Sequence, residues 1–83
     1  MFRLTVDDVF FIRGRGTVVT GEVEVGSVRV GDEVWVGDRP QVRVDGIEAF
    51  RRRLDEAQAG QIVGLLLKSL SEDDVNRGDV ISA

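Results

Sequence analysis

The stretch from Gly14 to Gly26, GRGTVVTGEVEVG, constrains the fold more than any other part of the chain. From Thr17 to Val25, Val19, Val23 and Val25 fall on one face and Val18, Thr20, Glu22 and Glu24 on the other, the period of two that a half-buried strand requires. Gly26 ends the run, and Gly21 inside it relieves crowding. Read from Gly16, the same residues nearly spell a phosphate-binding loop, with a second glycine at Gly21. Such a loop continues with Lys and then Ser or Thr. Here Glu22 and Val23 follow, and a carboxylate in place of the phosphate-pairing ammonium repels the ligand. The stretch is therefore read as a glycine-punctuated strand.

The remaining sequence is divided in the same way. Ten glycines, one proline and abundant valine cut it into short segments of β character. The pattern predicts strands over 4–6 and 9–13, on either side of Asp7-Asp8, and over 28–30 and 33–36. Gly37 to Pro40 is a tight loop. Residues 41–52 continue extended, with Val42 and Val44 in phase and a bulge at Asp45-Gly46 that throws Ile47 out of phase. Residues 54–60 are polar and cross one end of a barrel. Residues 61–68 contain VGLLL and form a strand packed on both faces. Ser71 caps one helical turn before Glu72, Asp73 and Asp74, and 79–82 is the last strand. About seven short strands separated by regular turn signals describe an all-β fold, a small antiparallel barrel or sandwich.

Composition narrows the chemistry. With no cysteine and no histidine the chain lacks disulfides, thiolate or imidazole metal sites and the usual general base. No nucleophile stands beside a base, so neither an enzyme nor a bound cofactor or metal is expected. Fifteen acidic against eleven basic residues give a net charge of −4, the opposite of the footprint of a general phosphate-backbone binder. No DNA partner is expected, and any RNA contact must be local. The N-terminal MFRLTVDDVFF has an acidic pair where a signal peptide needs an apolar run. Nothing approaches the roughly 20 apolar residues that span a bilayer. A cytoplasmic protein without a membrane partner is expected.

Some residues carry two readings. Asp7-Asp8 either meets a ligand amine or caps a turn between strands. Arg51-Arg52-Arg53 is the one basic cluster; in an extended segment Arg51 and Arg53 share a face, which reads as a solvated surface. Trp35 lies in antiphase to Val34 and Val36, either exposed to a partner or covered by a neighbouring loop.

The blocks DDVFFIRGRGTVVTGEVEVG, VGDEV, GIEAFRRRLDEAQAGQIVGLLL and DDVNRGDVIS follow one another in an order that closely resembles the second domain of elongation factor Tu and the related β-barrel of other translational GTPases. The resemblance runs from Leu4 to Ser82. It implies that residues 1–83 form one such small closed antiparallel β-barrel, a non-enzymatic module whose family neighbours, a GTPase domain and a third domain, lie outside these residues. No phosphate loop, guanine-reading Asn-Lys-x-Asp or magnesium-binding Asp motif occurs in the chain.

The resemblance also implies partners, because in the family this barrel helps hold the 3′ end of aminoacyl-tRNA and docks on a GTPase domain. Ile12, Val18, Glu48 and Leu66 match the positions that line the pocket for the terminal adenine. Asp7, Asp8, Phe10, Thr20 and Arg51 match positions around the aminoacyl group or the acceptor end. Val18, apolar on the polar face of its strand, independently hints at a surface pocket. The chain departs from the family in four places: Ile62 replaces its usual Asn, Glu22 a common basic residue and Trp35 an often polar one, and the loop from Gly37 to Pro40 is shorter. The net charge of −4, Ile62 and Trp35 support a second expectation, a free-standing protein-interaction barrel that has lost RNA binding.

Overall fold

In the computed structural model, which describes residues 1–83, the alternating stretch is the longest strand and organises the rest. In chain order the elements are β1 (Arg3–Thr5), β2 (Asp8–Ile12), β3 (Gly16–Val25), β4 (Ser27–Arg29), β5 (Glu33–Val36), β6 (Arg39–Arg43), β7 (Gly46–Ala49), β8 (Arg52–Leu54), β9 (Glu56–Gln58), β10 (Ile62–Leu67), a single 3-10 turn (Glu72–Asp74) and β11 (Val80–Ser82). All pairings are antiparallel. The large sheet runs β6-β5-β11-β1-β3-β10-β7-β8, with β2 also on β3, and β4 pairs with β9 separately.

The barrel is curled but not closed by a continuous ladder, since β6 and β8 remain its two edges. The expected closed barrel is corrected to that extent. The cause lies at Val44-Asp45, where the chain turns between β6 and β7. Val44 exchanges hydrogen bonds with Gly31 and Asp32 on one side, at 2.8 and 2.9 Å, while the Asp45 N–H reaches the Leu66 carbonyl at 2.8 Å on the other. This corner hands the strand from one part of the sheet to another. What the sequence suggested as one extended run over 41–52 is therefore three strands, and the polar crossing at 54–60 contains β9. The single proline, Pro40, sits in edge strand β6, where a missing N–H costs no ladder bond.

β3 pairs with β2 along its first half and with β1 at its end, while β10 lines its opposite edge. Gly21 lies where β1 gives way to β2. A Cβ there would lie 2.9 Å from Leu4 Cδ2 and collide with the Thr5 carbonyl, which gives the expected crowding its neighbours. Val19 and Val23 point inward and are fully enclosed, as alternation requires. Val25 does not join them: a bulge between the Arg3 and Leu4 pairings turns it outward, and it is 42% exposed. The core gathers Leu4, Val19, Val23, Ile47, Leu65, Leu67 and Ile81 with other inward residues of both sheet halves. VGLLL is buried on both faces, as expected. No helix is long and apolar enough to cross a membrane.

Candidate functional site

Opposite residues in an antiparallel ladder share a face, so register alone assembles the outer surface over β2, β3, β10 and β7. One row across it reads Phe10, Val18, Leu66 and Gly46; the next reads Asp8, Thr20, Gly64, Glu48 and Arg53. Val18 and Leu66 lie on the outside of the sheet and outside the contiguous core, yet are only 7% and 6% exposed. Buried apolar side chains on an outward face mark a basin rather than a convex wall.

Glycines shape that basin. A Cβ on Gly64 would come within 3.2 Å of Val18 Cγ1, one on Gly46 within 3.5 Å of Leu66 Cβ, and one on Gly16 within 3.7 Å of Leu66 Cδ1. Their missing side chains leave the Val18–Leu66 pair recessed. Ile12 pairs with Gly16 at the end of the hairpin and is 38% exposed.

Glu48 divides the surface into two depressions. One, of about 420 Å³, is bordered by Arg15, Asp45, Glu48, Arg53, Leu66 and Lys68. The other, of about 450 Å³ and mostly apolar, is bordered by Val18, Thr20, Glu48, Phe50, Arg51 and Ile62. Glu48 is not free between them. Arg15 grips its carboxylate as a fork, with one Nη 2.8 Å from Oε1 and the other 3.1 Å from Oε2. No group of three or more carboxylates converges as metal ligands would.

The β7–β8 connection is a two-residue turn in which Phe50 and Arg51 have φ of 52° and 63°. A hairpin of this kind demands the left-handed region at both positions, which Asn-Gly supplies without strain. Here Phe50 and Arg51 occupy it, and Phe50 is 92% exposed. The expectation that Arg51 and Arg53 share an extended face is corrected: the turn places Arg51 over the second depression and Arg53 on the wall of the first.

Of the nine expected site residues, Val18, Thr20, Glu48, Arg51 and Leu66 thus border the two depressions, with Phe10 beside Val18 in register. Ile12 stands at their end. Asp8 is beside Thr20 in register, but its carboxylate is 3.3 Å from Arg77 and 3.0 Å from the Val9 N–H. The Asp7 side chain is exposed, while its N–H holds the Thr20 carbonyl at the strand switch. Trp35 is 48% exposed and lies in a separate outer row with Ser82, Arg3 and Val25.

A family model described as elongation factor Tu domain 2 matches residues 16–82. The chain belongs to that family. Among solved structures, the crystal structure of the bacterial selenocysteine-specific elongation factor EF-Sec is similar at 32% identity and a TM-score of 0.89. That match covers 98% of this chain and 14% of the other. The chain thus spans about a seventh of that factor's length and is a translation-factor barrel module of the domain 2 type.

Sequence reasoning missed three features of this domain 2 surface: the Arg15 fork, the strained Phe50-Arg51 turn and the basin glycines Gly46 and Gly64. Arg15 offered one signal, its place between Gly14 and Gly16, both of which take positive φ. Its partner lies 33 residues away and has no local signature.

Proposed function

We propose that this domain holds the 3′ end of an aminoacyl-tRNA, with the terminal adenosine seated at Val18 and Leu66 and the aminoacyl group directed toward Thr20, Arg51 and Ile62. The recessed Val18–Leu66 pair on the outer face is the observation that carries this reading. Branched aliphatic side chains give a base an apolar seat, and Glu48 accepts a hydrogen bond from a sugar hydroxyl beside it. Stacking one base is worth about 1–3 kcal/mol, so the isolated domain binds weakly and gains affinity from a GTPase domain holding the same ligand. Family membership and the likeness to a selenocysteine-specific elongation factor support the reading.

Titrating the 83-residue chain with a short CCA-ended RNA or a 3′-aminoacyl-adenosine mimic, followed by backbone amide shifts, tests it. Shifts confined to Ile12, Val18, Glu48, Leu66 and their neighbours support it. No shift at millimolar ligand overturns it.

A second reading, a barrel that engages a protein through Trp35, is favoured by the exposed Trp35–Val25 row away from the basin. Trp35 emission that changes on dilution or on adding a GTPase domain supports it; constant emission removes it.

A further inference from the structure

The inner face of β2 ends on a residue that the barrel does not cover. Opposite residues of β2 and β3 share a face, so Val9 stands with Val19 and Phe11 with Thr17. Val19 and Thr17 are fully enclosed and Val9 packs against the core, yet Phe11 is 57% exposed. β2 pairs with β3 alone, so no strand on its other side closes over Phe11. Beside β2 lies the 3-10 turn instead. Between the two is a depression of about 360 Å³, bordered by Val9 and Val75 and, among its polar residues, by Glu72, Asp73 and Arg77.

Charge decides what fits there. Arg77 is taken by Asp8 at 3.3 Å, and Asp74 by Arg39 at 3.4 Å. Glu72 and Asp73 are exposed and join no ion pair. Uncompensated carboxylates beside an exposed aromatic ring repel a phosphate backbone and attract a cation carried on an apolar stem.

We propose that this edge of β2 docks a basic protein segment, extended along the strand, which lays an apolar side chain on Phe11 and brings a Lys or Arg to Glu72 and Asp73. Val9 and Phe11 stand two strand residues apart, about 7 Å, which is also the spacing of residues i and i+2 on one face of an extended segment. An apolar residue over Phe11 thus places a cation two positions away at the depression beside Val9. Phe10 and Ile12 point to the opposite face of β2, so such a partner leaves the Val18–Leu66 basin open.

The test titrates the 83-residue chain with the capped peptide Arg-Gly-Phe-Gly-Arg and with its acidic counterpart Glu-Gly-Phe-Gly-Glu, followed by backbone amide shifts. The basic peptide is expected to shift Val9, Phe11, Glu72 and Asp73 with a Kd of about 1 mM, a weak affinity suited to one ring and two exposed charges. Raising the salt to about 0.5 M weakens it, and the acidic peptide does not bind. Phe11→Thr is expected to cost about tenfold in affinity, and Glu72→Gln combined with Asp73→Asn about fivefold; the charge variant carries the test if Phe11→Thr fails to fold. Equal affinity for the two peptides, shifts centred on Val18 and Leu66, or unchanged affinity in a folded variant overturns the proposal. So does the absence of any shift. Shifts at Phe11 that depend on protein concentration without peptide assign the face to a second copy of the chain, and they overturn it as well.

Discussion

Thr17 Oγ1 donates a 2.8 Å hydrogen bond to the Leu70 carbonyl, tying the start of β3 to the segment after β10 across a sequence separation of 53. Thr17 is fully buried among otherwise apolar inward residues. Thr17→Val keeps the shape but leaves that carbonyl without its donor, and is expected to cost about 1–3 kcal/mol. Urea unfolding with an unchanged m-value and a lower midpoint checks this; an unchanged midpoint refutes it.

The two kinds of glycine in this chain separate in a pair of alanine variants. Gly21→Ala forces a methyl group against Leu4 and the Thr5 carbonyl where β1 gives way to β2, with an expected loss of about 3 kcal/mol. Gly60→Ala meets no atom within 4 Å and pays only for its φ of +94°, about 1 kcal/mol. Thermal melts of both rank them; equal losses contradict the crowding assigned to Gly21.

Replacing Phe50-Arg51 by Asn-Gly relieves two left-handed residues, and the double variant is expected to gain about 1–2 kcal/mol of stability. The same change removes Phe50 and Arg51 from the second depression, so affinity for a 3′-aminoacyl-adenosine mimic is expected to fall. Stability and affinity moving in the same direction would show that the turn is not strained in favour of binding.

Ile62 is 65% exposed, so Ile62→Asn is expected to change stability by no more than about 0.5 kcal/mol. It restores an amide at the rim of the depression that also holds Thr20 and Arg51. On the RNA-end reading, affinity for the aminoacyl mimic rises about threefold or more, the scale of one neutral hydrogen bond. Calorimetric titration of both proteins decides it, and unchanged affinity places the aminoacyl group elsewhere.

The Asp74 carboxylate accepts the Ser71 N–H at 2.8 Å and the Ser71 hydroxyl at 3.2 Å. The backbone bond, then the side-chain bond, and to a smaller extent Arg39, hold its pKa below the ordinary aspartate range. Because the folded value is depressed, the associated stability is present above the unfolded value and is lost as pH falls through the folded one. Wild type and Asp74→Asn are therefore expected to converge in stability below about pH 4 and to separate above it. Denaturation midpoints across that range check the sign. Ser71 is the N-cap of this turn, as expected, and Asp74 reaches back to its N–H as in a capping box.

Local pattern determined which segments are strands and which faces turn inward, because strand periodicity and glycine punctuation act over a few residues. The inward Val19 and Val23 of the alternating strand, the doubly buried VGLLL and the in-phase Val42 and Val44 all reappear in the structure. The order of motifs likewise made the family legible. Whether the ladder closes, where Val25 points and where 41–52 breaks were decided by pairing: a bulge, a corner at Val44-Asp45 and a strained turn respond to partners far along the chain. The site divides in the same way. Val18 announced itself as an apolar residue on a polar face, whereas its recess between glycines and the grip of Arg15 on Glu48 arise only when β2, β3, β10 and β7 lie side by side, since register rather than sequence distance sets which side chains meet.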